Sequence, residues 1–189
     1  MIRLTENDTG AVDRIEAGPH ILDSGDRTEF ESGAVRDMRE GKGRCDLAPL
    51  DVAAVLLHTD ILLMNVSDFQ EDGNVAHLYG ALHAFKKRWN IRSSTKYTDE
   101  EDLDAAACEM LLDVAKHFEE GAKKYGPSNW KMGIPAHVYI DSAVRHYLKL
   151  LAHWDDEPHD RAVAWNLMCC IWTCVHKPEL NDYAKKEAN

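Results

Sequence analysis

Residues 161–176, RAVAWNLMCCIWTCVH, limit the fold more than any other segment, because a helix formed by them is apolar on nearly every side. Such a helix is stable in water only when neighbouring helices surround it. Residues 99–123 and 135–154 each carry one apolar stripe at helical spacing. No segment alternates polar and apolar residues over the length of a strand. We therefore predict an all-α fold, a helical bundle with 161–176 at its centre.

Two further helices are predicted in the first half of the chain, which gives a bundle of about five helices. Pro49 suits the first turn of a helix of about 12–18 residues, and Asp46 stands where its N-cap belongs. Residues 66–74, VSDFQEDGN, are interpreted as a turn, and 75–89 as the next helix. The helical domain is predicted to span 32–178, after an irregular polar arm (1–31) and before a polar tail (179–189).

Composition disfavours several classes of function. The net charge of −11 argues against binding to duplex nucleic acid, which needs a basic surface. The apolar runs are far shorter than the roughly 18–20 residues that cross a bilayer, so no membrane is expected as a partner. The N-terminus is rich in acids and lacks the apolar core of a secretory signal. Five cysteines without the spacing of a zinc site are expected to be reduced, in a cytoplasmic protein.

A basic loop interrupts this acidic chain just before the first predicted helix. Its cations are Arg36, Arg39, Lys42 and Arg44, and two glycines flank the lysine. One interpretation is a flexible loop that closes over a polyanion. The other is a solvated loop that pairs with the acidic body of the protein. The spacing does not fit a Walker A phosphate loop.

Helical geometry places polar residues along the edges of the two apolar stripes. These ridges are formed by Asp113, His117 and Glu120 on the third helix and by His137, Asp141 and Arg145 on the fourth. Glu119 points away from its stripe, and His146 lies on the other flank of the fourth helix. Such edges face the clefts between helices, where carboxylates offer the hard oxygen ligands that Mg²⁺ prefers. The alternative is that these acids only border the core and face solvent.

Three other features suggest a ligand. Asp160 begins the last helix, where it caps the helix or reaches a shared metal ion. Asn166 interrupts an apolar segment, so its amide must bond to a facing side chain or to a ligand. Residues 123–130, KKYGPSNW, bring cations, an amide and aromatic rings next to Glu120. Such groups stack on a nucleotide base and hold phosphate oxygens.

The stretches SGAVRDMREGKGRCDLAPLDV, EEGAKKYGPSNWKMGIP and YIDSAVRHYLKLLAHW…DRAVAWNL resemble the phage-encoded dATP/dGTP diphosphohydrolase N-terminal domain family. In outline the chain is similar to the MazG-like all-α pyrophosphohydrolases. These carry metal ligands as ExxE and ExxD, where this chain has His117-x-x-Glu120 and Asp141 followed by Arg145. Residues 58–98 match none of the three stretches and are interpreted as an insertion.

The resemblance implies hydrolysis of purine deoxynucleoside triphosphates to monophosphate and pyrophosphate. It also implies Mg²⁺ as the cofactor, with Mn²⁺ as an alternative ion, a homo-dimer or homo-tetramer, and a location in the host cytoplasm. The implied catalytic residues are Glu119, Glu120 and Asp141, and the implied metal ligands are Glu120, Asp141 and Asp160. The implied substrate-binding residues are Arg36, Lys42, Arg44, Lys124, Asn129, Trp130, Arg145, His146 and Asn166. A protein that binds a nucleotide without cleaving it, or a structural interaction protein, remains an alternative.

Overall fold

The computed structural model describes residues 5–6, 12–13, 24–38, 41–92 and 100–184. Its helices are α1 (Leu50–Leu56), α2 (Ile61–Asp72), α3 (Val75–Arg92), α4 (Glu100–Tyr125), α5 (Asn129–Met132), α6 (Ala136–Leu151) and α7 (His159–His176). Its strands form two short antiparallel hairpins, β1 (Thr5–Glu6) with β2 (Val12–Asp13) and β3 (Arg27–Glu29) with β4 (Val35–Asp37). Turns of 3-10 helix occupy Cys45–Leu47 and Pro178–Leu180. The prediction of an all-α bundle is confirmed.

Helix α7 lies at the centre of the bundle, where it packs against α3, α4 and α6. Its buried side chains point in several directions around the helix and include Val163, Leu167 and Cys170. Helix α6 is also deeply buried, and its Tyr139 and Tyr147 are at most 1% exposed. Burial of large apolar side chains, at about 1.5–3 kcal/mol each, holds these helices together. The central position predicted for 161–176 is confirmed.

The interpretation of residues 66–74 as a turn is wrong. Helix α2 runs through most of this segment and ends at Gly73, whose φ of 70° lets the chain turn. The helix buries Leu62, Val66 and Phe69. This helical spacing of apolar residues outweighs the turn-forming residues of the segment.

The prediction of one helix of about 12–18 residues after Pro49 is also wrong, because the chain breaks it into α1 and α2. Asp60 sets the break, since its Oδ1 accepts hydrogen bonds from the backbone N–H of Leu62 and Leu63 at 3.0 and 3.1 Å. These bonds satisfy two N–H groups that the first turn of a helix leaves unpaired. Asp46 is not the N-cap of α1, because it lies in the preceding 3-10 turn and Pro49 takes the cap position.

Asp60 also ties α2 to α3 and α6, so its charge is expected to contribute to stability. Its Oδ2 accepts hydrogen bonds from Arg88 Nη2 at 3.1 Å and from Tyr147 Oη at 2.5 Å. Asp60→Asn keeps an acceptor for the cap but removes the charge, and it is expected to lower the free energy of unfolding by about 1–2 kcal/mol. Urea denaturation measures this. Asp68→Asn, an exposed change on the same helix, is the control, and equal stability of the two variants would contradict the assignment.

The hairpin β3–β4 is fastened to the bundle through α5. The N–H of Val35 donates to Asn129 Oδ1, and Asn129 Nδ2 donates to the Val35 carbonyl, both at 2.8 Å. Strands of three residues are too short to show alternation in a sequence. The hairpin joins residues on both sides of the predicted boundary between 31 and 32, and its strand β4 carries Arg36 to α6 and α7.

Within the described ranges, no helix has both the length and the apolar character needed to cross a bilayer. All five cysteines are free, and Cys169, Cys170 and Cys174 are buried on α7. Cytoplasmic location stays a prediction. Residues 93–99, within which the predicted insertion ends, and 185–189 of the predicted tail lie outside the described part of the chain.

Candidate functional site

A cavity of about 670 Å³ lies between the hairpin β3–β4 and helices α4, α6 and α7. This volume is typical of sites for small organic ligands. Its charged and histidine side chains are Arg36, Asp37, Lys42, His117, Arg145, His146, Lys149 and Glu157, and its larger aromatic rings are Phe118, Tyr125, Trp130 and Trp165. Four cations and two carboxylates therefore line the cavity. Three of the cations are ion-paired, Lys42 with Asp37, Arg145 with Asp141 and Lys149 with Asp156. Arg36 has no ion pair with a described carboxylate.

The structure brings together most of the residues predicted to bind substrate. Those that line the cavity are Arg36, Lys42, Asn129, Trp130, Arg145, His146 and Asn166. Arg44 does not line it, because its guanidinium donates two hydrogen bonds to the Asp46 carboxylate at 2.7 and 2.6 Å. Lys124 is also not among the lining residues, and Arg39 lies outside the described part of the chain. The seven cavity residues stay predictions as substrate ligands.

Arg36 is held inside the cavity wall by neutral groups. Its Nη2 donates to Ser142 Oγ at 3.2 Å and to Asn166 Oδ1 at 2.8 Å. Its guanidinium carbon lies 5.4 Å from the ring centre of Tyr139 and 5.6 Å from that of Trp165. Its Nη1 is buried and has no hydrogen-bond partner among the described residues. Desolvation, together with the like charge of Arg145, lowers the pKa of this group, since both disfavour its charged form.

Asn166 makes one of its contacts to Arg36 and the other within its own helix. Its Oδ1 accepts from Arg36, and its Nδ2 donates to the Ala162 carbonyl at 2.8 Å, so the amide bonds to a facing side chain and to its own helix. Asn129 was predicted to contact a base. Its amide makes both hydrogen bonds to Val35 and so positions β4, and the contact with a base stays a prediction.

Two more buried polar atoms, one on His117 and one on Trp165, make no hydrogen bond to a described residue. These atoms are His117 Nδ1 and Trp165 Nε1. The two rings lie 5.2 Å apart, and Phe118 lies 5.8 Å from Trp165 and 5.3 Å from Trp130. Burial lowers the pKa of His117 to about 3, so this imidazole is neutral near pH 7. Buried polar groups without partners are costly and suit a site that a ligand or water completes.

Asp141 anchors the basic loop to the cavity wall. This side chain is 0% exposed, its Oδ1 accepts from the Cys45 N–H at 2.8 Å, and its Oδ2 accepts from Arg145 Nη1 at 2.8 Å. Asp141 therefore fixes both the end of the loop and the guanidinium of Arg145. Arg145 Nη2 also lies 3.4 Å from Ser142 Oγ, which Arg36 contacts.

The other predicted carboxylates also bind groups of this chain. Glu119 is exposed and accepts from Lys123 at 2.6 Å. Glu120 accepts from Arg161 Nη2 at 2.7 and 2.9 Å, and Asp160 Oδ1 accepts from the Arg161 N–H at 2.8 Å. Asp160 lines a separate cavity of about 310 Å³. None of these carboxylates, nor Asp141, is among the residues that line the larger cavity.

The predicted metal ligands therefore do not fit a magnesium ion as a set. Glu120 and Asp141 are each paired with an arginine, and Asp160 lines the other cavity. Among the described side chains, no three His, Cys, Asp or Glu residues come together to hold a metal. Magnesium or manganese dependence stays a prediction from the resemblance.

Sequence reasoning overlooked three residues of the cavity. Lys149 follows Arg145 by four positions, so the ridge on α6 could have been extended to it. His117 was placed on a ridge but not assigned to the site. Trp165 neighbours Asn166 and was treated as part of the apolar centre, because periodicity does not show that its ring borders a cavity.

Residues 92–183 match the family model described as dATP/dGTP diphosphohydrolase, N-terminal. The match covers 92 of the 189 residues of the chain. The predicted resemblance is thus confirmed for a stretch that contains α4, α5, α6 and α7. The matched segment supplies most of the cavity wall, whereas Arg36 and Lys42 precede it. No curated protein and no solved structure matches the chain.

Proposed function

We propose that the cavity binds a nucleoside triphosphate, foremost a purine deoxynucleoside triphosphate, and that the protein hydrolyses it to the monophosphate and pyrophosphate. The observation that carries this proposal is the part-buried guanidinium of Arg36, whose Nη1 is buried and whose hydrogen bonds to described residues go to neutral groups. A buried cation without a counter-charge is costly, and an anionic ligand would supply that charge. The family description supports the choice of ligand and reaction.

The rest of the cavity fits the two halves of a nucleotide. Arg36, Lys42, Arg145 and Lys149 can together bind phosphate oxygens, because charge-assisted hydrogen bonds are the stronger kind. The contiguous rings of Phe118, Trp130 and Trp165 offer faces on which a base can stack.

A panel of deoxy- and ribonucleoside triphosphates tests this proposal directly. Each is incubated with the full chain, with and without Mg²⁺ and Mn²⁺, and pyrophosphate and monophosphate are measured together with binding by calorimetry. Release of equal amounts of the two products, fastest for a purine deoxynucleotide, is the expected result. Release of inorganic phosphate alone, or the absence of any binding, would contradict the proposal.

A nucleotide-binding protein without catalysis is the second candidate. It is favoured by one observation, that none of the predicted catalytic carboxylates lines the cavity. The same panel separates the candidates, since tight binding without either product would support the second one. The predicted dimer or tetramer belongs to the first candidate and is checked by light scattering of the purified chain.

Lys42 and Arg44 form a matched pair of cations on the basic loop. Lys42 lines the cavity beside Asp37, whereas Arg44 is paired with Asp46 outside it. Lys42→Ala is expected to weaken triphosphate binding about 3- to 10-fold, with a larger effect at low salt. Arg44→Ala is expected to leave the dissociation constant within about twofold of the wild type. Equal effects of the two changes would show that the loop acts only through its total charge.

A further inference from the structure

A chain of three side chains runs from the acidic connector between α6 and α7 to the cavity. His159 Nε2 lies 2.9 Å from Asp156 Oδ1, and His159 Nδ1 lies 2.9 Å from His146 Nδ1. His159 is 2% exposed, so it lies inside the bundle, and His146 lines the cavity. Lys149 donates to the other oxygen of Asp156 at 2.7 Å, which holds the far end of the chain in place.

The hydrogen bonds that join Asp156, His159 and His146 assign the position of the proton on His146. An ionised carboxylate only accepts, so His159 donates from Nε2 to Asp156 and, as a neutral imidazole, leaves its Nδ1 as an acceptor. His146 must then donate from Nδ1. A neutral His146 therefore presents an Nε2 without a proton.

The surroundings of His146 favour this neutral form. The charged or titratable groups that act on it are His159 on α7, Arg145 on its own helix, His117 on α4 and Arg36 on β4. Burial is the largest cause that lowers the pKa of His146 well below its ordinary value, and these neighbouring groups lower it further. A triphosphate in the cavity would add negative charge beside the ring, which strengthens its hold on an incoming proton.

We propose that His146 Nε2 is the proton acceptor for the water that attacks the triphosphate, with His159 and Asp156 as positioning residues. This inference rests on the proposed function. The water oxygen forms a bond to the α-phosphorus while one of its protons moves to His146 Nε2. The bond from the α-phosphorus to the bridging oxygen breaks, and that oxygen leaves with the bonding electron pair as part of pyrophosphate. The other product is the nucleoside monophosphate.

His146→Gln tests the role of His146, because glutamine is polar and of similar size but is not a base near pH 7. The expected result is a kcat at least about 100-fold lower, with KM within about threefold of the wild type. His153→Asn is the matched control, since His153 is exposed beyond the end of α6 and is expected to leave both constants unchanged. Added imidazole is expected to restore part of the activity of His146→Ala, which a purely structural role would not allow.

A second readout is independent of turnover. ¹⁵N NMR of histidine-labelled protein is expected to show His146 as the Nδ1–H tautomer in the wild type and as a mixture in Asp156→Asn. The same change is expected to lower kcat about 10-fold, as loss of an orienting partner does. A wild-type His146 that carries its proton on Nε2 would overturn the proposal.

The outcomes separate this inference from the proposed function. Full activity of His146→Gln would overturn the role of His146 and leave nucleotide hydrolysis standing. Absence of hydrolysis by the wild type with every triphosphate would overturn both.

Discussion

Arg36→Met is expected to weaken triphosphate binding at least about 100-fold, or about 2.7 kcal/mol, because it removes the charge around which the cavity is built. Methionine has a similar length and can pack between the rings of Tyr139 and Trp165, which now flank the guanidinium. The change also removes a part-buried charge that has no carboxylate partner among the described residues, so the free energy of unfolding is expected to change little. Calorimetric titration with a purine deoxynucleoside triphosphate gives the affinity, and urea denaturation gives the stability.

Arg27→Met is the matched control for this prediction. Arg27 lies on the other strand of the same hairpin, pairs with Asp37 at 3.4 Å and is not among the residues that line the cavity. The dissociation constant of this variant is expected to stay within about threefold of the wild type. If both variants bind equally well, Arg36 does not contact the phosphates. If both variants lose binding equally, nucleotide binding depends on the intact hairpin β3–β4 and not on a contact made by Arg36.

Asp141→Asn is expected to lower the free energy of unfolding by about 3 kcal/mol in the absence of nucleotide and metal. The change leaves Arg145, whose side chain is 15% exposed, without its buried carboxylate partner. It also weakens the hold on the Cys45 N–H, which ends the basic loop. We therefore expect weaker nucleotide binding as a second consequence.

This prediction separates two roles for Asp141. If Asp141 is a metal ligand, Asp141→Asn abolishes turnover but leaves the stability of the metal-free protein unchanged. If Asp141 is an anchoring residue, the same change lowers the stability of the metal-free protein. Urea denaturation in a chelating buffer distinguishes them. Asp113→Asn is the control, since Asp113 pairs with the exposed Lys116 on the same helix at 2.6 Å, and its effect is expected to stay within about 0.5 kcal/mol. Stability of Asp141→Asn within about 1 kcal/mol of the wild type would contradict the anchoring role.

The central helices could be predicted because their signal is periodic and long. Residues 161–176 lack a polar face, so burial on all sides was the only stable arrangement, and α7 has it. The break between α1 and α2 was missed because it depends on one side chain, Asp60, whose cap competes with a continuous apolar pattern. The three-residue strands β3 and β4 were missed because alternation needs a longer run.

The candidate site was only partly predictable, because helix geometry gives the face of a residue but not its partner. Asp141 and Arg145 were placed on one ridge, and the same spacing of four residues also predicts an ion pair between them. Glu119 and Lys123 have that spacing as well, and they pair at 2.6 Å. The pairing of Glu120 with Arg161 and of His146 with His159 joins different helices, so no local pattern in the sequence shows it.

A crystal structure with a purine deoxynucleoside triphosphate whose α,β-bridging oxygen is replaced by a non-hydrolysable group tests the central claim most directly. We expect phosphate oxygens within about 3.2 Å of the Arg36 guanidinium, with the base against the rings of Trp130, Phe118 or Trp165. An analogue bound elsewhere on the protein, with the cavity wall around Arg36 unchanged, would contradict it.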